Sequence, residues 1–114
     1  MTRDQMRRLM GKRVTVEGVL HRFTTWRGRD VKAKTWKRIP KPLTGTVVGF
    51  TRKQNGETRY PNHTAPEWTC LSTVLVCLIR PQPMSKEVPV SMIDLEKALA
   101  LEARRMDNDE QGED

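Results

Sequence analysis

Residues 68–80 read Trp-Thr-Cys-Leu-Ser-Thr-Val-Leu-Val-Cys-Leu-Ile-Arg, an unbroken β-branched and apolar stretch that ends at Pro81-Gln-Pro83. β-Branched side chains lose rotamer freedom in a helix and pack well on a pleated surface. An apolar run without strict alternation is the pattern of a strand covered on both faces. Residues 68–80 therefore predict a central strand, and the rest of the chain has to supply its neighbours.

Several segments fit that need. Arg13 to Phe23 alternates, with Val14, Val16 and Leu20 on one face and Thr15, Glu17 and His21 on the other. Gly18 interrupts it and predicts a bulge or bend. Leu43 to Lys53 is strand-like around Val47, Val48 and Phe50. Asn55-Gly56 then predicts a hairpin turn, because both residues tolerate positive φ, with Glu57 to Tyr60 as a short return strand. Residues 61–66 read as loop. Glu87 to Met92 is a shorter strand, placed at an edge because Pro89 cannot donate to a ladder.

Two helices flank these strands. Thr2 and Gln5 form a capping-box pattern ahead of Met6, Leu9 and Met10, and Gly11 is a natural stop. A second helix is expected over 92–106, capped by Ser91 and Asp94, with Met92, Leu95, Leu99 and Met106 on its apolar face. Strands joined by turns, without βαβ alternation, predict an antiparallel sheet. The expected fold is mainly β with flanking helices, a small antiparallel barrel of about five strands. The expected organisation is one domain over 1–106, containing a long basic loop or exposed ribbon at 24–42, followed by an acidic disordered tail at 107–114.

Three stretches carry a resemblance. Gly11-Lys-Arg-Val-Thr-Val-Glu-Gly18, Thr44-Gly-Thr-Val-Val-Gly-Phe50 before the Asn55-Gly56 pair, and Val88-Pro-Val-Ser-Met-Ile-Asp-Leu95 resemble the SH3-like small barrels, which include KOW and Tudor modules. An OB-like barrel is the alternative. The resemblance spans residues 11–95 and implies a non-catalytic module that binds nucleic acid or peptide segments. It transfers no binding residue, and the long segment at 24–42 departs from a minimal barrel.

Charge narrows the choice of partner. The 114 residues hold 21 Lys/Arg and 14 Asp/Glu, a formal net charge of +7. The distribution is uneven: residues 1–93 hold 18 cations and 6 acids, and residues 94–114 hold 3 and 8. A basic body favours a polyanionic partner. No apolar run approaches the roughly 20 residues of a membrane-spanning helix, so no membrane partner is expected. The N-terminus lacks the apolar stretch of a secretion signal, which makes the cytoplasm the default location.

The most informative segment is 22–41. It carries Arg22, Arg27, Arg29, Lys32, Lys34, Lys37, Arg38 and Lys41 against one acid, Asp30, and it interleaves Trp26 and Trp36. Cations neutralise phosphates, and an indole can stack on a base. These ten residues are the candidate contacts for DNA or RNA. The alternative partner is an acidic protein surface, as for a phage or mobile-element protein that docks on a host enzyme or defence complex. The acidic tail offers a competitor for the same cations.

Little points to catalysis, and no cofactor is expected. Cys70 and Cys77 are seven residues apart, on opposite faces of a strand, and read as two buried thiols with no disulfide or zinc pattern. His21 and His63 are isolated from each other in the sequence, and neither sits in a motif. There is no glycine-rich phosphate cradle, nucleophile elbow or fixed carboxylate pair.

Overall fold

In the computed structural model, β-branched stretches pair over a long ladder. The structure describes the backbone of residues 1–61 and 65–111, and side chains through Met106. The elements are α1 (Arg3–Leu9), β1 (Arg13–Val16), β2 (Val19–Arg27), β3 (Val31–Ile39), β4 (Leu43–Arg59), β5 (Glu67–Arg80), β6 (Val88–Ser91) and α2 (Met92–Gln111). All strand pairs are antiparallel.

The hydrogen-bonded order is β2-β3-β4-β5-β6, with β1 also paired to β4. β4 meets β1 over residues 43–46 and β3 over residues 56–59, while β5 follows it from Thr46 to Arg59. The sheet has six strands and is open. β2 and β6 approach each other, yet no ladder joins them. β6 is four residues long, and Pro89 in it lacks the N–H that further pairing would use. The edge position expected for this strand is observed.

Three expectations are corrected. Asn55-Gly56 makes no turn, and β4 runs through it to Arg59, so residues 57–59 continue β4 instead of returning. The tight turn lies at residues 28–30, where Gly28 has φ +73°. The segment at 24–42, expected as a long loop or exposed ribbon, is a ribbon: most of it lies in the β2–β3 hairpin, paired from Val19–Ile39 to Arg27–Val31. Val19 is buried and Leu20 only half-buried, because the break at residues 17–18 resets the alternation.

The core occupies one end of this sheet. Val14, Val16, Val19, Val47, Cys77, Ile79, Val90 and Leu95 are buried together. Leu9 of α1, which begins with the expected capping box, packs against them, as do Met92 and Leu99 of α2. Neighbours Val76 and Cys77 are both fully buried, so both faces of β5 are covered there. Residues 67–73 of the same strand are exposed, which limits the expected double burial to its second half. The ladder thus outruns the core. The radius of gyration is 18.3 Å, against about 13 Å for a compact domain of roughly 100 residues.

One polar group is buried with the core. Asp94, in the first turn of α2, accepts from Nε of Arg38 at 2.9 and 3.1 Å and from Ser91 Oγ at 2.8 Å, and its own N–H donates to Ser91 Oγ. Burial alone would raise the Asp94 pKa. The hydrogen bonds from Arg38 and Ser91, with the nearby Arg38 and Lys97 charges, outweigh that and hold it below the usual carboxylate range. Arg38 therefore ties β3 to α2. Met106, expected on the apolar face of α2, is exposed; the helix continues five residues into the acidic segment, and residues 112–114 lie outside the described set. No described helix is long and apolar enough to cross a membrane.

Cys70 is exposed and Cys77 buried, so only one of the two expected buried thiols is found. Burial pushes the Cys77 thiol up to about 12. Since the thiolate is the reactive form, native protein should take one equivalent of iodoacetamide, at Cys70, and urea-unfolded protein two, read by mass spectrometry. Asp94→Asn should cost about 1–3 kcal/mol at pH 7 in urea denaturation. Because the folded pKa is depressed, this stabilisation is complete above the ordinary Asp value of about 3.9 and is lost as pH falls through the lower folded value. The wild-type advantage over Asp94→Asn should shrink accordingly in acid.

Candidate functional site

Beyond the core, the outer parts of β2, β3, β4 and β5 lie side by side as a four-stranded blade, exposed along β2 and β5 and half-buried along β3 and β4. Opposed residues of an antiparallel sheet share a face. The register therefore defines two rows on one face: Trp26–Lys32–Thr58–Trp68 and Thr24–Lys34–Gly56–Cys70. Arg22 opposite Trp36 begins the next row. The other face carries Thr25–Ala33–Glu57–Thr69 and Arg27–Val31–Arg59–Glu67.

The faces differ in charge. The Trp26 face holds Arg22, Lys32 and Lys34 in these rows and no carboxylate; beyond them Glu87, which pairs with Arg80, lines a cleft with Arg22 and Trp36. The opposite face is mixed, with Glu57 and Glu67 beside Arg27 and Arg59, and an Arg27–Glu57 ion pair. Alternation has sorted a uniformly basic stretch into two different surfaces.

The aromatic groups on the acid-free face are held in place. Trp26 and Trp68 are 53% and 42% exposed, high for indoles. Lys32 Nζ lies 5.9 Å from the Trp26 ring centroid, and Lys34 Nζ lies 5.6 Å from that of Trp68. Each such cation–π contact at an exposed site contributes about 0.5–1 kcal/mol. The Tyr60 ring is 5.6 Å from Trp26, tilted by 33°, and the Tyr60 N–H donates to the Asp30 carbonyl at 2.7 Å. That bond fastens the end of β4 to the β2–β3 turn. Between these groups lies a shallow cleft of about 150 Å³, lined by Arg22, Lys32, Lys34, Thr58, Tyr60 and Trp68.

Trp68 depends on Gly56. A Cβ at residue 56 would overlap the Thr69 carbonyl oxygen and come within 2.7 Å of the Trp68 ring. The indole lies over the bare backbone, and its Nε1 donates to Gln54 Oε1 at 3.3 Å. Asn55 is used differently from a turn residue. Its Oδ1 accepts the Trp36 N–H at 2.8 Å and its Nδ2 donates to Ser72 Oγ at 3.1 Å. The side chain spans three strands where the β3–β4 ladder ends, next to the register shift that leaves Leu71 unpaired on β5.

The ten residues expected to make contacts are divided by the fold. Arg22, Trp26, Lys32 and Lys34 converge on the acid-free face, and half-buried Trp36 adjoins them, with Lys53 Nζ 5.3 Å from its ring. Arg27 and Lys37 project from the other face, Lys37 lying over Phe23. Arg29 is in the β2–β3 turn, and Lys41 is in the β3–β4 link at the far end of the hairpin. Arg38 is committed to Asp94. Trp68, Tyr60, Thr58 and Gly56 were not expected at the site: Thr58 and Gly56 join it by pairing with Lys32 and Lys34, Trp68 by pairing with Thr58, and Tyr60 through its contacts with Trp26 and Asp30. His21 is exposed beside Phe23, and His63 lies outside the described residues. Among the described residues, no group of three or more His, Cys, Asp or Glu is placed to hold a metal.

Comparison with known proteins finds no family model, no curated protein and no solved structure that matches this chain.

Gly56→Ala should destabilise the fold by about 1–3 kcal/mol, the usual cost of overpacking. It should also lift Trp68 from the sheet, which a red shift in tryptophan emission of the folded variant would reveal.

Proposed function

We propose that this chain is a non-enzymatic module that binds nucleic acid through the acid-free face of the β2–β5 blade. The observation behind this reading is the sorting itself: Trp26, Trp68 and Tyr60 share one exposed face with Arg22, Lys32 and Lys34, and no carboxylate interrupts the paired rows. Aromatic planes and cations on one open surface suit bases and phosphates together. The core end supports a partly rolled barrel of the SH3-like kind, because β2 and β6 approach across its open side. The blade projects from that base as the binding element.

Salt dependence tests the reading. Each phosphate contact adds about 0.7–0.9 to the slope of log affinity against log salt. The triple variant Arg22→Gln, Lys32→Gln, Lys34→Gln should therefore weaken binding to an oligonucleotide and lower that slope by about 2–3. A control with the same loss of charge, Lys37→Gln, Lys41→Gln, Arg59→Gln, should change the slope much less. Equal effects from the two triples would sink the assignment to this face. A complex with an acidic polypeptide that persists at physiological salt, with no nucleic-acid binding at low salt, would transfer the face to an acidic protein surface.

A further inference from the structure

We infer that the blade takes an unpaired nucleic-acid strand laid across its β-strands, with one base on Trp68 and another on Trp26, and that duplex is not its ligand. This rests on the nucleic-acid reading above and adds the form of the ligand.

Trp68 is held at the sheet: Cζ2 and Cη2 of its ring pack against Gly56, Nε1 donates to Gln54 Oε1, Lys34 Nζ lies over the ring, and 42% of the residue stays exposed. A side chain that opens a duplex projects between base pairs as a wedge. A ring resting on the sheet presents a plane, and only a base free of its own stack can reach it. Trp26, flanked by Tyr60 and Lys32, likewise presents a supported ring.

Trp26 and Trp68 lie in one row on β2 and β5, three inter-strand spacings apart, or about 14 Å. The major groove is about 12 Å wide and admits a helix or a two-stranded ribbon. The β2–β3 hairpin is such a ribbon, but residues 31–34 are paired to β4, which is paired in turn to β5. The face meets a ligand as a four-stranded surface too broad for the groove.

Between the two indoles stand the Lys32 ammonium and the Thr58 hydroxyl, with Lys34 in the adjacent row. Ring, cation, hydroxyl, ring is the sequence that a base–phosphate–base path across the strands would need. Lys32 and Lys34 lie over the two indoles. Their flexible stems let the ammonium groups move to phosphates as bases take their places.

Binding is measured by tryptophan fluorescence and by competition, with an oligothymidylate of about 12 nucleotides, within the range of single-strand site sizes, and with a mixed-sequence duplex of equal length. The expected result is quenching by the single strand and at least tenfold weaker binding of the duplex. Trp26→Ala and Trp68→Ala should each weaken single-strand binding about five- to a hundredfold. Trp68→Phe, which keeps a ring over Gly56, should lose less than Trp68→Ala. It also provides the test if Trp68→Ala fails to fold by circular dichroism. Equal affinity for duplex and single strand, or single-strand binding indifferent to both indoles, overturns this inference. If binding then still responds to Arg22, Lys32 and Lys34, the nucleic-acid reading stands without it. No binding of either probe at low salt removes both.

Discussion

The β4–β5 ladder runs from Thr46–Arg80 to Arg59–Glu67, and the rest of the molecule is arranged along it. At one end it lies beside the buried valines, Ile79 and Leu95. At the other it continues where burial is slight. Backbone hydrogen bonds and cross-strand pairs must hold that outer part, each pair contributing roughly 0.2–1 kcal/mol. The β2–β3 hairpin depends on it doubly, through residues 56–59 of β4 at its tip and through Val19 and Ile39 at its base.

Polar contacts control where the sheet changes direction. β3 follows β4 only as far as Lys34–Gly56 and then leaves it. Asn55 satisfies the Trp36 N–H at that point and reaches Ser72 on the other side. Farther along β3, Arg38 meets Asp94 at the start of α2. A buried carboxylate requires such a partner, because an unpaired charge there would be strongly unfavourable. One cation of the basic segment thus serves the base of the fold, and its neighbours two and four residues earlier, Trp36 and Lys34, face the blade. The three residues share one face of β3, and position along the strand relative to the end of the β3–β4 ladder separates their roles.

The blade differs from an ordinary half-buried sheet in what it leaves exposed. Large aromatic groups usually find cover. Here two indoles are supported by Gly56, Gln54 and Tyr60, and lysine side chains lie over them. The support limits the positions the two rings can take. The ion pairing on the opposite face, Arg27 with Glu57, leaves the acid-free face as the more strongly positive one.

The antiparallel β class, both helices with their Thr2–Gln5 and Ser91–Asp94 caps, the Pro89 edge and the basic tryptophan-bearing segment were legible in local patterns. Those features depend on alternation, helical spacing and residues within one turn, so a single chain displays them. The openness of the sheet, the passage of β4 through Asn55-Gly56, the exposure of Cys70 and the diversion of Arg38 were not legible. Each depends on a partner from another strand or helix. By itself the sequence determined that cations and indoles would be concentrated at 22–41. Only the tertiary structure decided that Trp68 and Tyr60 would join them and that Arg27, Lys37 and Arg38 would not, because a side chain's face and neighbours follow from strand register, and register is set between segments distant in the chain.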